Sequence, residues 1–417
     1  MCQEEFKDTR LNFVDEVSFA DYNTVLSRLS YVLQRFTNVY QSTYGNAAMC
    51  FLGDFRQLEP VGNNAAYNHE EGVFWEQSLT HMVELKGTHR FNECEVLREI
   101  MPELRNQGLS EEARAKLNER VVKLSDIPAE KVKDLRFATY FNQKRAEINR
   151  AMFLSYLKNY HSKDENEGVP RTAIVIKSNG SWSGGKRLSF NHRKVLFEEC
   201  LDSHCQESSG NKRADPFLCL WSGCHVMGTD NTDVTHGIAN GITSIFEKCI
   251  FKSGKRPHKI KVDGFWVYAI NIEDVESLVL RWSDCRFEGT YKIQSKNRTF
   301  KVNYPIVEEG KSIRVAASMK LEHFSILLNH ATTGHKLQGK SMENLVISQW
   351  SKVKNWAYVV LSRVRKITGL YLLSEIPRDI DFSPDPKYVR MMDRLRQRIL
   401  KTPDDVTDLM AEVINIE

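Results

Sequence analysis

An apolar run closes on two adjacent acids in FVDEVSF, where Asp15 and Glu16 follow Phe13 and Val14. Side-by-side carboxylates at a strand end suit metal-assisted hydrolysis of a nucleotide. One acid holds Mg²⁺ through water, and its neighbour polarises the attacking water. Alone the pair is a weak signal, because two acids after a strand are usually a solvated turn. The next apolar run, AAMCFLGDFRQLEPV, also ends on an acid and sets Gln57 where it can reach a γ-phosphate or its water. A proline-ended surface loop is the bland alternative. Near the C-terminus, WAYVVLSRVRK places Ser362 and Arg363 after an apolar run that reads as a strand. A guanidinium there can reach across a cleft and stabilise charge in phosphoryl transfer, although a surface ion pair is the simpler use.

A fourth stretch, GHKLQGKS from Gly334 to Ser341, matches G-x-x-x-x-G-K-[ST], the phosphate-binding loop pattern. Such a loop follows a strand, opens a helix and precedes the Mg²⁺-binding acid in the chain. This octet lies far downstream of Asp15 and Glu16. It runs into MENLVISQW, a strand-like segment, with too few residues for a sizeable helix between. Its order and its context both argue against a phosphate loop.

The elements that must position these residues follow from periodicity. LNFVDEV and AAMCFLGD read as strands, and DYNTVLSRLSYVLQRF carries Val25, Leu29, Val32, Leu33 and Phe36 at helical spacing. Strands alternating with helices predict a parallel sheet with sites at the strand ends. Helical patterns cover Cys94 to Leu124, with Ser110 as an N-cap, and LRFATYF predicts a strand before a helix through NQKRAEINRAMFL. Residues 158–215 are polar and read as a long irregular insertion. Period-two runs (FWVYAINI, SLVLRW, TFKVNYPIV) make 242–318 a β-rich module, and PKYVRMMDRLRQRIL predicts an amphipathic basic terminal helix.

The totals fit a globular chain of 417 residues: 41% hydrophobic, 27% charged, net charge +4. No apolar run reaches the roughly 18 residues of a membrane span, and no secretory signal is visible, so an intracellular chain is expected. The nine cysteines are scattered. Cys200 and Cys205, then Cys219 and Cys224, repeat a C-x4-C pair, but zinc sites use closer pairs, and reduced thiols fit better.

Together these motifs resemble the petite-integration-frequency (PIF-type) DNA helicases, in the RecD-like branch of superfamily 1. VDEVSF is similar to motif II, LGDFRQLEPV to motif III, and LKGTHRF, with Arg90, to the arginine motif that follows. ELRNQGLSEEARAKLNER resembles the family's L-R…G…L-x-x-R helix, and ATYFNQKRAEIN the segment that opens its second motor domain. GCHVMGTDNTDVTHGIANGITSIF resembles the G-x-x-V-M…N…G-x-x-N-G-x-x-G stretch, with Ser244 at its last glycine. ATTGHKLQGKSMENLVIS looks like motif V and YVVLSRVRKITGLYLL like motif VI. The chain departs from the pattern at Gly334, usually apolar, at Leu337, usually serine, and at Glu59, usually proline.

The resemblance implies an α/β fold: an incomplete first RecA-like domain plus a second RecA-like domain with an inserted small β-barrel. Residues 1–125 would belong to the first motor domain, and 126–241 with 319–380 to the second. Residues 242–318 would form the barrel and 381–417 a helical tail. It implies a monomeric ATP-dependent motor moving 5′ to 3′ on single-stranded DNA and opening duplex junctions, nuclear in a eukaryote, with ATP between the domains. Asp15 and Glu16 would hold Mg²⁺, Glu16 would activate water, and Gln57 would sense the γ-phosphate. Arg90 and Arg363 would neutralise charge, with Gln338 and Gly339 toward the nucleotide. Thr139, Asn142, Thr333, His335 and Lys336 would touch the strand. The family's true phosphate loop lies before motif II, and these residues carry none, so the expectation is a C-terminal portion with negligible ATP hydrolysis of its own. A non-catalytic DNA-binding remnant, as from a mobile element, is the alternative.

Overall fold

A computed structural model gives the structure of the chain. It describes residues 11–60, 65–69, 74–85, 89–127, 134–161, 172–193, 205–207, 216–283, 288–308 and 310–399. The fold is mixed α/β with several separate sheets. Two compact units account for it: one runs to Asp134 and resumes at Leu337, and the other is Leu135–Lys336.

In the first unit, strands Leu11–Val14 and Ala48–Phe51 pair in parallel, Leu11 opposite Ala48 and Val14 opposite Phe51. Parallel pairing requires a crossover, and helix Ser27–Thr37 lies within it. Of the predicted helical stripe, Leu29 and Leu33 pack against the core, whereas Val25 and Val32 stay exposed. A two-stranded sheet offers too little apolar surface to cover the whole stripe. Helices Glu95–Asn106 and Glu111–Asn118 follow, and Ser110 caps the second by accepting the Ala113 amide at 3.2 Å. The C-terminal helix Pro386–Ile399 buries Met391, Leu395 and Ile399 among Tyr67, Phe74 and Trp75, which ties the late segment to the early one. Strands Leu345–Ile347 and Leu370–Leu372 form a second parallel pair.

Two expectations are corrected here. WAYVVL is helix Trp356–Leu361, not a strand. Five of its six side chains are buried, and a short apolar run that is covered all round carries no periodicity to tell helix from strand. The stretch 158–215 is also less irregular than its composition suggests. Helix Asn142–His161 runs into it, and Ala173–Lys177, Asn179–Gly184 and Cys205–Glu207 are strands. The polar Asn179–Gly184 extends because it pairs with Ala317–Glu322, an instance of long-range pairing overriding local propensity.

In the second unit, Arg136–Thr139 pairs in parallel with Ala331–Thr333, Thr139 opposite Thr333. Among the described residues the β-rich part contains three sheets, in one of which Ala173–Lys177 joins Phe265–Asn271 and Phe217–Trp221. Its core includes Phe153, Leu157, Val267, Leu278 and Leu280. Cys224 lies wholly within that core, and burial pushes its thiol up to about 12, so it behaves as a small apolar residue. Cys219 packs against the same core, while Cys200 and the side chain of Cys205 lie outside the described residues.

Candidate nucleotide and nucleic-acid sites

The first parallel pair leads into acids: Asp15 follows Val14 directly, and Asp54 stands three residues beyond Phe51, at the strand ends where parallel sheets place their sites. Beyond Val14, the Leu52 amide donates to Val14 and the Val17 amide to Leu52, so the ladder continues past the acids. Glu16 turns the chain in a left-handed conformation, φ 51°, and its amide donates to Asp15 Oδ1 at 2.8 Å. A non-glycine residue held there is a local strain of the kind that gathers at functional sites.

Gly339, with φ 72°, approaches this turn closely. A Cβ added there would stand 3.6 Å from Glu16 Oε1. Beside it, Gln338 Nε2 donates to Gln57 Oε1 and to the Leu58 carbonyl, each at 3.4 Å. Gln57 is held in turn by Asn355, whose Nδ2 donates to the Gln57 carbonyl at 3.0 Å. The Glu16 carboxyl pKa is raised, chiefly by burial, and further by Asp15 and Asp54, against the pull of Arg363 and Arg90. Its Oε2 is buried with no hydrogen-bond partner.

Arg90 and Arg363 meet at one residue. Arg90 Nη1 donates to the Ser362 carbonyl at 2.9 Å, while Arg363 Nη2 donates to the Ser362 hydroxyl at 2.7 Å and its Nε to the Val359 carbonyl at 2.8 Å. Burial, then repulsion from Arg90, lowers Arg363 to about 10, which leaves it cationic at neutral pH. Burial lowers Arg90 as well. Within the described residues neither guanidinium forms a salt bridge of 4.0 Å or less. Two cations on one serine, Arg363 buried and Arg90 half-buried, lie near a carboxylate with an orphaned oxygen, a charge pattern of the kind that suits a phosphate. Carboxylate oxygens are the ligands that Mg²⁺ takes, which makes Asp15 and Glu16 the candidates to hold it.

The structure thus gathers Asp15, Glu16, Gln57, Arg90, Gln338, Gly339 and Arg363 into one unit. Residues 86–88 of LKGTHRF lie outside the described residues. Asp54 received no role from the sequence, yet it accepts the Tyr358 hydroxyl at 3.1 Å and lies 3.6 Å from Arg105. Its signal was present: it follows the second of two strands that each lead into an acid.

The octet 334–341 lacks phosphate-loop geometry. Gly334–Leu337 is a single helical turn before the Gly-Lys-Ser, and no helix opens at Ser341. The Lys340 amide donates to Leu337 and the Met342 amide to Arg363, so these amides are committed within the chain.

In the second unit, Thr333, His335 and Lys336 are half-buried at the end of strand Ala331–Thr333. Lys336 Nζ donates to Asn240 Oδ1 at 3.1 Å, and burial, then Arg145, lowers its pKa. Asn142 is the first residue of its helix rather than the cap, since Phe141 accepts the Arg145 amide. Thr139 is wholly buried, and its hydroxyl donates to the Thr332 carbonyl at 3.3 Å, so in this structure it positions the strand end.

No protein-family profile matches the chain. The ATP-dependent DNA helicase Pif1 of Bdellovibrio bacteriovorus is 24% identical over 384 residues, 89% of this chain and 67% of that protein. The crystal structure of Pif1 helicase from Candida albicans matches with a TM-score of 0.61 at 16% identity, over 94% of this chain and 78% of that one. Pif1 helicase from Bacteroides in complex with ADP-AlF3 and ssDNA matches with a TM-score of 0.59 at 16% identity, over 95% and 77%. By sequence over most of its length this chain is similar to a Pif1 DNA helicase, and its fold is similar to the folds of two others.

Proposed function

We propose that the chain carries the hydrolytic wall and the strand-contacting surface of an ATP-driven DNA helicase that moves 5′ to 3′ on single-stranded DNA and opens duplex at junctions. The observation that carries this reading is the pair of guanidiniums on Ser362, Arg363 buried and Arg90 half-buried, near Glu16 at the end of a parallel strand. A relative named as an ATP-dependent DNA helicase, and a structural neighbour solved with a nucleotide and ssDNA, support it. In this reading residues 1–125 belong to a first RecA-like domain, and 126–241 with 319–380 to a second. Residues 242–318 are an inserted small barrel and 381–417 a tail. The motor works as a monomer inside the cell, in the nucleus if the source is eukaryotic.

Asp15 and Glu16 are the residues that would hold Mg²⁺, which when bound neutralises phosphate oxygens. Glu16, with its raised pKa, accepts a proton from water. Gln57, steadied by Gln338, orients that water, and Arg90 with Arg363 stabilises charge on the phosphoryl group. Thr333, His335, Lys336 and Asn142 hold the strand, mostly through its phosphates, so little sequence preference results.

Two outcomes test this. Labelled oligodeoxythymidylate should bind the chain with affinity that falls as salt rises, and Lys336→Ala should weaken binding and make the log–log salt slope shallower by about 0.7. Unchanged affinity and slope in that variant would remove Lys336 from the strand contact. Separately, these 417 residues hold one match to the phosphate-loop pattern, and it lacks the geometry. The purified chain is therefore expected to hydrolyse ATP negligibly, with or without DNA. Rapid DNA-stimulated phosphate release would overturn that. The same observation favours DNA binding without hydrolysis as the second reading.

A further inference from the structure

Strand Asn179–Gly184 leaves its sheet through Gly184 and Gly185, at φ 74° and 61°, and the chain reverses there. The Leu188 amide closes the turn on the Gly185 carbonyl at 2.8 Å, and the Leu188 side chain is buried among Ile306, Val315 and Ala317. That single anchor leaves its neighbours outside. Lys186, Arg187, Ser189 and Phe190 are all exposed, and Phe190, at 81%, is the most exposed large apolar side chain among the described residues. One exposed apolar residue is ordinary, and a basic turn is usually just solvated. Neither use explains the order of types here: two cations, one anchored spacer, a hydroxyl and an aromatic ring.

Ser189 precedes a helical turn that begins at Phe190, and its Oγ accepts the His192 amide at 3.2 Å. In that bond the hydroxyl is the acceptor, so its own proton is not committed there. No acid occurs between Ala173 and Arg193, so the charge of Lys186, Arg187 and Arg193 is not offset within the segment. Arg193 Nη2 donates to the Gly185 carbonyl at 3.2 Å, while its Nε is buried without a hydrogen-bond partner. Anionic oxygens placed on Ser189, four residues earlier, would give that Nε a partner.

We propose that Ser189 is a phosphorylation site for a serine kinase that reads basic residues two and three positions before its acceptor. Such enzymes select by charge pattern, and Lys186 and Arg187 supply the pattern, with Phe190 as the apolar residue that follows. Ser189 Oγ attacks the γ-phosphorus of the kinase's ATP, the bond to the bridging oxygen breaks, and ADP leaves. The hydroxyl proton passes to the kinase's catalytic carboxylate. Drawing the segment out costs the Leu188 contact and the capping bond, an opening of the local kind that surface turns undergo.

Incubating the full chain with ATP and the catalytic subunit of cyclic-AMP-dependent protein kinase, a kinase of this class, tests the proposal, with sites mapped by tandem mass spectrometry. Ser189 should be modified first and most completely, and only when the kinase is present. Arg187→Ala should slow modification of Ser189 roughly tenfold or more, the loss expected for one charge pair. Ser189→Ala should leave residues 186–193 without phosphate. The Arg187 variant keeps the capping bond, so it carries the test even if Ser189→Ala folds poorly. An unmodified Ser189, under conditions where the kinase modifies a control substrate, would overturn the proposal. A parent-like rate at Ser189 in the Arg187 variant would do the same.

Discussion

Replacing Arg56 by alanine is expected to destabilise its unit by about 3–5 kcal/mol, read as a large loss of melting temperature or of denaturation midpoint. The side chain is 2% exposed, and its donors are almost fully engaged. Nε donates to the Arg105 carbonyl at 2.7 Å, Nη2 to Leu104 at 3.1 Å and Phe382 at 2.8 Å, and Nη1 to Asn355 Oδ1 at 3.1 Å. Leu104 and Arg105 belong to the last turn of helix Glu95–Asn106, whose carbonyls have no partner within the helix. A cation there also complements the helix dipole. Removing it strands several buried acceptors at once. Burial lowers the Arg56 pKa, the mark of a charge kept inside by its hydrogen bonds. Arg56→Lys should not restore stability, because one ammonium cannot reproduce a planar fork directed at separate segments. A variant as stable as the parent would show that the guanidinium is not what binds these segments. The consequence reaches the site, because Arg56 lies between Asp54 and Gln57 and its amide donates to Asp54 Oδ1 at 3.0 Å.

Gly369→Ala should be comparably severe, about 3 kcal/mol or more, or should prevent folding of the unit. A Cβ at this position would stand 1.8 Å from the Glu343 carbonyl oxygen, a backbone atom with no freedom to swing away. Gly369 leads into strand Leu370–Leu372, which pairs with Leu345–Ile347, so the strain would part these strands. Met342 donates to the Arg363 carbonyl at 2.8 Å, and that link is the nearest casualty. Chemical denaturation of the variant measures the effect. Parent-like stability would mean that the backbone yields more easily than close packing allows.

Much of the site was readable in the residues because its chemistry is local: two acids at a strand end, a glutamine after the next strand, and an arginine after an apolar run. What the letters left out is what depends on distant partners. Nothing in WAYVVLSR indicates that Arg90 shares Ser362 with Arg363, nor that WAYVVL is helical. Thr139 reads as a ligand contact by resemblance, yet strand pairing buries it. GHKLQGKS misleads in the opposite direction, since the pattern specifies residue types but not the helix that must follow them. The strand Asn179–Gly184 escaped notice because a polar sequence extends only when a partner strand fixes it, whereas Ala173–Lys177, the apolar AIVIK, was masked by the polar residues around it.

The account stands on Glu16, Arg90 and Arg363 facing the phosphates while Gly339 to Ser341 do not. A structure of this chain with Mg²⁺, ADP–aluminium fluoride and a single-stranded oligonucleotide tests that most directly. The aluminium fluoride group should lie beside Glu16 and the two guanidiniums, with the oligonucleotide against Thr333, His335 and Lys336. A nucleotide seated on the amides of Gly339, Lys340 and Ser341 would contradict it.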